Sequence, residues 1–242
     1  MNPINYEKSA SIRIGASVSS RDVGLREYMV AVYKYMAIML SLTGVVALVI
    51  ASSQALQAVF FSMPIYLIAI LAPLAIPFYM SARFATMSVQ SVRWCALLYS
   101  GLLGISLSTV FMVYTGVSVA RVFFISASSF GALTLYGYTT KKDLTGFGSF
   151  LFIGLIGILI ASLVNMFMRS GAMDFVISGI GVLVFAGLTA YDTQRIKDVY
   201  YQVAGHSETQ EKAAIYGAFA LYMDLINLFL MLLRFFGDRR SS

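Results

Sequence analysis

The chain has 242 residues, of which 59% are hydrophobic and only 12% are charged, and its mean hydropathy is +0.81. Because a soluble domain has roughly 25% charged residues, this composition excludes a water-soluble globular protein and predicts one polytopic membrane bundle. The net charge of +6 is typical of basic loops that set membrane topology and contact anionic lipid, which argues against nucleic acid as a partner.

The first stretch, residues 1–28, is polar and Ser-rich with mixed charge. It lacks the apolar core of a signal peptide, so we expect a polar cytoplasmic tail and no cleavable signal. A charge-free run follows from Tyr35 to Ala82. A polar interruption divides this run, which predicts two membrane helices, at 30–51 and 64–82.

Pro73 and Pro77 lie inside the second predicted helix. Proline has no N–H to donate and its ring displaces the preceding turn, so we expect a kink here. The carbonyl groups that lose their helical partners need other donors in the bundle.

The remaining apolar runs are bounded by charged or turn residues and predict five more helices, at 94–114, 122–140, 147–168, 175–191 and 213–233. The membrane domain is therefore predicted to span 29–238, with a tail at 239–242. Small residues four apart allow close approach of helices in lipid. Such pairs are Ala127/Gly131, Ser128/Ala132, Ala186/Ala190 and Ala214/Ala218.

The orientation is predicted from the 17 Lys and Arg residues. Most fall in the N-terminal stretch and in alternate loops, whereas the opposite loops before the C-terminus hold only Arg121 and Arg169. The positive-inside rule then places the N-terminus in the cytoplasm. The basic C-terminal tail leaves two alternatives, a seventh crossing that puts the tail outside or a re-entrant turn that keeps it cytoplasmic. The length of the last run favours seven crossings.

Two aspartates interrupt apolar segments, Asp192 after the sixth predicted helix and Asp224 within the seventh. A carboxylate at membrane depth costs about 3 kcal/mol on insertion scales and usually has a function. Helical spacing places small and polar residues on one stripe of the last helix, which predicts a protein-facing surface. The stripe contains Ala213, Gly217, Ala220, Asp224, Asn227 and Met231.

Structural roles for these two side chains stay open. Asp192 also fits a helix-end carboxylate that faces the cytoplasm, and Asp224 also fits a buried group that joins helices through Arg, Asn or Tyr. The two aspartates are also predicted to lie at different depths in the membrane. Asp224 lies about 17 Å into its predicted helix at 1.5 Å per residue, whereas Asp192 ends its own.

If the two carboxyl groups meet, they cannot both ionise cheaply in low dielectric, so they share a proton and sense pH. Deprotonated, they form a hard oxygen site that suits calcium. Asn227 and Thr189 are candidate supporting residues. Arg83, at the end of the second helix, is a candidate partner for one aspartate, although it also fits an interfacial topology anchor.

Enzyme signatures are absent from the sequence. It contains no Gly-rich phosphate loop, and its only cysteine and only histidine, Cys95 and His206, cannot form a disulfide, a catalytic set or a structural zinc site. We therefore expect a protein that is not an enzyme and has no cofactor other than calcium as a bound or permeant ion.

Three segments carry a family resemblance: YGYTTKKDLTGFGSF, TAYDTQRIKDVY and ALYMDLINLFLMLLRFFG. They resemble the Bax inhibitor 1 / YccA family, and the similarity extends over roughly residues 30–238. The resemblance implies a bacterial inner-membrane member, built as an all-α bundle of seven membrane helices with the C-terminal helix at the centre.

The resemblance also implies a function. Family members are described as pH-sensitive calcium leak channels with a paired-aspartate sensor, and those positions match Asp192 and Asp224. An arginine near the end of the second helix pairs with the dyad in relatives. Here Ser81 and Ala82 stand where a relative has a basic cluster, so Arg83 is the local candidate.

An alternative function follows from the same resemblance. A bacterial relative is a substrate and modulator of the membrane AAA protease FtsH, which engages its cytoplasmic N-terminal tail. Residues 1–28 would serve that role in a non-conducting regulator.

Overall fold

The computed structural model describes residues 3–240, with side chains described for residues 22–240. This part of the chain forms eight helices and no β-strand. They are α1 (Pro3–Ala51), α2 (Gln54–Phe60), α3 (Met63–Arg83), α4 (Val89–Val113), α5 (Gly116–Thr139), α6 (Thr145–Met168), α7 (Gly171–Val203) and α8 (Ser207–Phe236). All except α2 contain a segment long and apolar enough to cross a membrane, which in α1 is Asp22–Ala51. The predicted seven-helix membrane bundle is confirmed.

The C-terminal helix α8 lies at the centre of the bundle. It packs against α7, α1, α5 and α4, and 61% of its most apolar window is buried, against at most 33% in any other span. The outer helices instead expose large apolar side chains, such as Phe124 and Ile153. This distribution is expected when lipid surrounds the bundle, because an apolar side chain there is as well solvated by lipid as by protein.

Several helices extend beyond the predicted boundaries. The sixth and seventh predicted helices were placed at 175–191 and 213–233, but α7 continues to Val203 and α8 begins at Ser207. The predicted ends followed the nearest charged residues, Asp192 after the sixth helix and Lys212 before the seventh. These charges mark where the apolar membrane zone ends, whereas the helical backbone continues beyond it because charged residues are also good helix formers.

One carbonyl group that the prolines free in α3 has a donor in the bundle, as predicted. Pro73 leaves the carbonyl of Ala69 without its helical N–H partner. The Ser106 hydroxyl on α4 donates to that carbonyl at 2.8 Å. The proline therefore helps to join α3 to α4, because the freed acceptor is satisfied by the neighbouring helix rather than by lipid.

The small-residue pairs mark only some of the close contacts. Ala190 lies at the closest approach of α5 and α7, since a Cβ atom added at Gly137 would clash with the Ala190 carbonyl. The spacing Ala127/Gly131 and Ser128/Ala132 does not mark an interface, because Gly131, Ser128 and Ala132 are exposed. Four-residue spacing of small residues is common in any helix rich in Gly, Ala and Ser, so it does not identify the buried face.

The bundle has two ends, which we name by their loops. The hairpin end contains residues 84–88, 140–144 and 204–206. The tail end contains residues 114–115, 169–170 and 237–240. The C-terminal segment is fixed at the tail end by backbone hydrogen bonds, from Thr115 N–H to the Asp238 carbonyl at 3.1 Å and from Arg240 N–H to the Val113 carbonyl at 2.9 Å.

Because α8 is continuous and joins one end of the bundle to the other, the re-entrant alternative is excluded. The C-terminal tail lies opposite the α7–α8 loop. The cytoplasmic side remains a prediction from the distribution of basic residues. The predicted tail at 1–28 is described in its side chains only from residue 22, and Leu25 and Tyr28 are already buried in the core.

The contact between Gly137 and Ala190 gives a test of the packing. We expect Gly137→Ala to lower the free energy of unfolding by roughly 1–3 kcal/mol, because the added methyl group overpacks a backbone contact that cannot shift. Gly131→Ala is the matched control on the same helix, where an added Cβ meets nothing within 4 Å. Unfolding in mixed detergent micelles measures both, and equal stability of the two variants would contradict the proposed packing.

Candidate functional site

The site is positioned by the long antiparallel interface between α7 and α8, the most extensive helix pair in the described chain. Two glycines set its register. A Cβ atom added at Gly217 would lie 2.9 Å from the Ile196 side chain, and one added at Gly181 would lie 2.6 Å from the Met231 sulfur. The small residues therefore allow the helices to approach closely on both sides of the two aspartates.

This register explains how the two carboxyl groups meet. Asp192 is level with Ala220, and Asp224 lies about one turn, roughly 5 Å, further toward the tail end. Side chains in a helix tilt toward its N-terminus. Since α7 and α8 are antiparallel, Asp192 tilts toward the tail end and Asp224 tilts toward the hairpin end, so each side chain leans toward the other.

The two carboxyl groups lie close enough to interact with each other. A hydrogen bond can join two carboxyl groups only if one of them holds a proton, because ionised carboxylates only accept. Asp224 is 5% exposed, and its Oδ2 atom is buried without a hydrogen-bond partner in the described structure. Asp192 is partly exposed. The pair therefore combines a buried acceptor with a carboxyl group that reaches a solvated region.

Two cavities meet at this pair. A cavity of about 640 Å³ lies between α6, α7 and α8 and is lined by Asp192, Asp224 and Asn227. A second cavity, of about 400 Å³, extends toward the hairpin end and includes Tyr28 and Ser81. Asp192, Arg195 and Ala220 line both. We call these the inner cavity and the access cavity.

The predicted supporting residues Asn227 and Thr189 differ in their access to the cavities. Asn227 lines the inner cavity, and its amide nitrogen donates to the Met223 carbonyl at 2.8 Å, which leaves its amide oxygen for a ligand. Thr189 is fully buried, and its hydroxyl donates to the Phe185 carbonyl within α7 at 2.8 Å. Thr189 therefore satisfies its own helix and does not line either cavity.

Arg195 is the cation that the structure places beside the pair. It lies one turn beyond Asp192 on α7, lines both cavities and interacts electrostatically with Asp192. The proposed partner Arg83 is exposed at the end of α3, and no ion pair with it is present among the described side chains. The spacing of three residues from Asp192 was the available sequence signal for Arg195.

The wall of the inner cavity depends on another close contact. A Cβ atom added at Gly148 would clash with the Tyr191 ring, which brings α6 against α7 beside Asp192. On the side of this contact nearer the hairpin end, the Gln194 side chain accepts from Leu144 N–H at 2.8 Å and donates to the Lys142 carbonyl at 2.8 Å. The α5–α6 loop is thereby held within one turn of Asp192.

A metal site would need more oxygen ligands than the aspartates supply. No group of three or more His, Cys, Asp or Glu side chains suited to a metal occurs in the described part of the chain. The two carboxyl groups and the Asn227 amide oxygen border one cavity, but they supply fewer oxygen ligands than the six to eight that calcium prefers.

The comparison with known proteins identifies the family. The family model for inhibitor of apoptosis-promoting Bax1 matches residues 25–241. The inner membrane protein YbhL of Escherichia coli (strain K12) is 46% identical over 226 residues, covering 93% of this chain and 97% of YbhL. A protein of Rickettsia prowazekii (strain Madrid E) is 49% identical over 220 residues, covering 91% and 93%. A membrane protein of Streptococcus pyogenes serotype M1 is 36% identical over 219 residues, covering 89% and 94%.

The chain belongs to the Bax inhibitor family. The resemblance drawn from its aspartate-containing segments is therefore confirmed, as is its place among bacterial members in the membrane. The match starts at residue 25 and thus leaves out most of the polar N-terminal stretch. The roles of individual residues are not decided by family membership, and the aspartate pair remains a candidate site.

Accessibility of the two cavities to water can be measured with cysteine variants. In a Cys95→Ala background, we expect Ala220→Cys to react rapidly with a small water-soluble methanethiosulfonate. The reason is that residue 220 lines both cavities and that the reactive thiolate needs access to water. Ala218→Cys, on the fully buried face of the same helix, is the control. Equal rates at both positions would contradict a hydrated path.

Proposed function

We propose that this Bax inhibitor family protein is a pH-sensitive leak pathway for calcium or a similar cation, gated by Asp192 and Asp224. The observation that carries the proposal is the close pair of carboxyl groups beside two cavities that share Asp192 in their lining. A structural pair would need neither an access cavity nor a buried oxygen without a partner. Intramembrane acids of this kind commonly belong to ion or proton pathways.

The shared proton would hold the pathway closed. A hydrogen bond between a carboxylic acid and a carboxylate is charge-assisted, and such bonds are roughly twice as strong as neutral ones. A second proton, taken up at lower pH, replaces it with a weaker neutral bond and removes the charge that attracts Arg195. The α7–α8 contact then loosens, and we expect cation flux to increase as pH falls.

Protons and cations would compete for the same oxygens. Loss of the shared proton leaves two negative charges in contact in a medium of low dielectric, which is strongly unfavourable. A divalent cation that takes the place of the proton would keep the two carboxylates in contact and the pathway closed. Asp192, which is the more exposed of the two, would meet a cation first from the access cavity.

The test is calcium flux into proteoliposomes as a function of pH. We expect wild-type flux to increase as the pH is lowered, and the Asp192→Asn, Asp224→Asn double variant to lose this dependence, because amides do not titrate. Asp198→Asn is the control, since Asp198 is an exposed acid on the same helix, two turns from Asp192. The proposal is wrong if the double variant retains both the flux and the pH response of the wild type.

A second arm separates this proposal from regulation of a membrane protease such as FtsH. That alternative requires the N-terminal stretch and not the aspartates. The deletion should end at residue 21, because Leu25 and Tyr28 pack in the core and their loss would disturb the bundle. If the truncated protein conducts normally while a cellular function is lost, the N-terminal stretch has a role of its own.

A further inference from the structure

A lateral groove reaches the central helix on the side away from the aspartates. It has a volume of about 420 Å³, and it lies between α1 and α5, with α8 and α4 as its floor. These two outer helices share no extensive interface. Leu225 and Phe229 of α8 line it on a face roughly opposite Asp224, as expected from 100° per residue. We call it the α1–α5 groove.

The lining of the groove is apolar almost throughout. Its polar side chains are Ser41 and Thr43. The Thr43 hydroxyl is already hydrogen-bonded to the Ser100 carbonyl at 2.9 Å and to the Tyr222 hydroxyl at 2.6 Å. Water in such a space has too few polar partners to be stable. In a bilayer the groove is therefore filled by hydrocarbon.

The groove lies in the half of the bundle near the tail end. Along α5 it extends from Gly116, the first helical residue, to Phe124. Eight residues correspond to about 12 Å, and a single leaflet contributes about 15 Å of hydrocarbon. The groove thus matches one acyl chain that enters from the leaflet at the tail end.

Three arginines lie at the tail end of the bundle, close in the chain or through backbone contacts to the start of α5, where the groove begins. Arg121 pairs with Asp238 at 2.8 Å, directly beside the start of α5. Arg239 and Arg240 are exposed and form no ion pair among the described residues. Backbone hydrogen bonds fix their chain segment against residues 113–115. The mouth therefore has a net positive charge held by ordered backbone.

From this juxtaposition we infer a binding site for an anionic phospholipid. One acyl chain fills the α1–α5 groove and contacts α8, and the phosphate group binds at Arg239 and Arg240. Guanidinium groups bind phosphate oxygens through two parallel hydrogen bonds. The acyl chain fills the space between α1 and α5 above Leu225 and Phe229 of the central helix.

The experiment is native mass spectrometry of the purified full-length protein after release from nanodiscs of mixed phosphatidylglycerol and phosphatidylcholine. We expect one retained lipid, with phosphatidylglycerol preferred by on the order of tenfold, since two basic side chains near an anionic lipid each contribute. Arg239→Gln with Arg240→Gln should abolish the preference and leave retention of either lipid possible. Retention without any headgroup preference in the wild type would overturn the inference.

Filling the groove tests the position of the acyl chain. An added Cβ at Gly44, which lines the groove, meets nothing within 4 Å, so Gly44→Leu should occupy it without a backbone clash and remove the retained lipid. Gly131→Leu, also in open space but on the exposed surface of α5, is the control. Ala120→Phe fills the mouth from the other side if Gly44→Leu fails to fold. Undiminished retention in a folded groove-filled variant would refute the site.

Discussion

The structure depends on one constraint, which is the cost of keeping two carboxyl groups together inside an apolar bundle. Each would be unfavourable alone at membrane depth. They can be tolerated together because they lie close enough to share one proton and because a cavity beside them gives one of them contact with solvent. Both conditions require α7 and α8 to lie at close range and in a fixed register. Gly217 allows that approach on the hairpin side of the pair, and Gly181 allows it on the tail side.

The α7–α8 pair also organises the hairpin end of the bundle. Lys197 on α7 donates to the Tyr138 carbonyl at 2.9 Å, and Lys212 on α8 donates to the Met87 carbonyl at 3.1 Å. Glu211 accepts from both Tyr35 and Arg93. The outer helices α1, α4 and α5 and the α3–α4 loop are thus attached to the two helices that hold the aspartates. A change in the distance between α7 and α8 must therefore also move, or break, these attachments.

Much of the fold was predictable from the sequence, whereas the surroundings of the site were not. Apolar runs of sufficient length gave the seven membrane helices, and the stripe through Ala220 and Asp224 correctly faces another helix. Helix ends were misplaced because charge marks the limit of the membrane and not the limit of the helix. The partner cation was missed for the same reason, since Arg195 was assigned to a loop beyond Asp192 instead of the next turn of α7.

The two faces of the central helix border different environments. On one face, Asp224 and Asn227 border a cavity that admits polar ligands. On the other face, Leu225 and Phe229 border an apolar groove. The glycine contacts on either side of the pair leave α8 little room to move toward α7. On the groove side α8 also packs against α1, α5 and α4. A displacement of α8 away from α7 would therefore have to compress the groove and shift these helices as well, so the contents of the groove bear on how far the central helix can respond to its carboxyl pair.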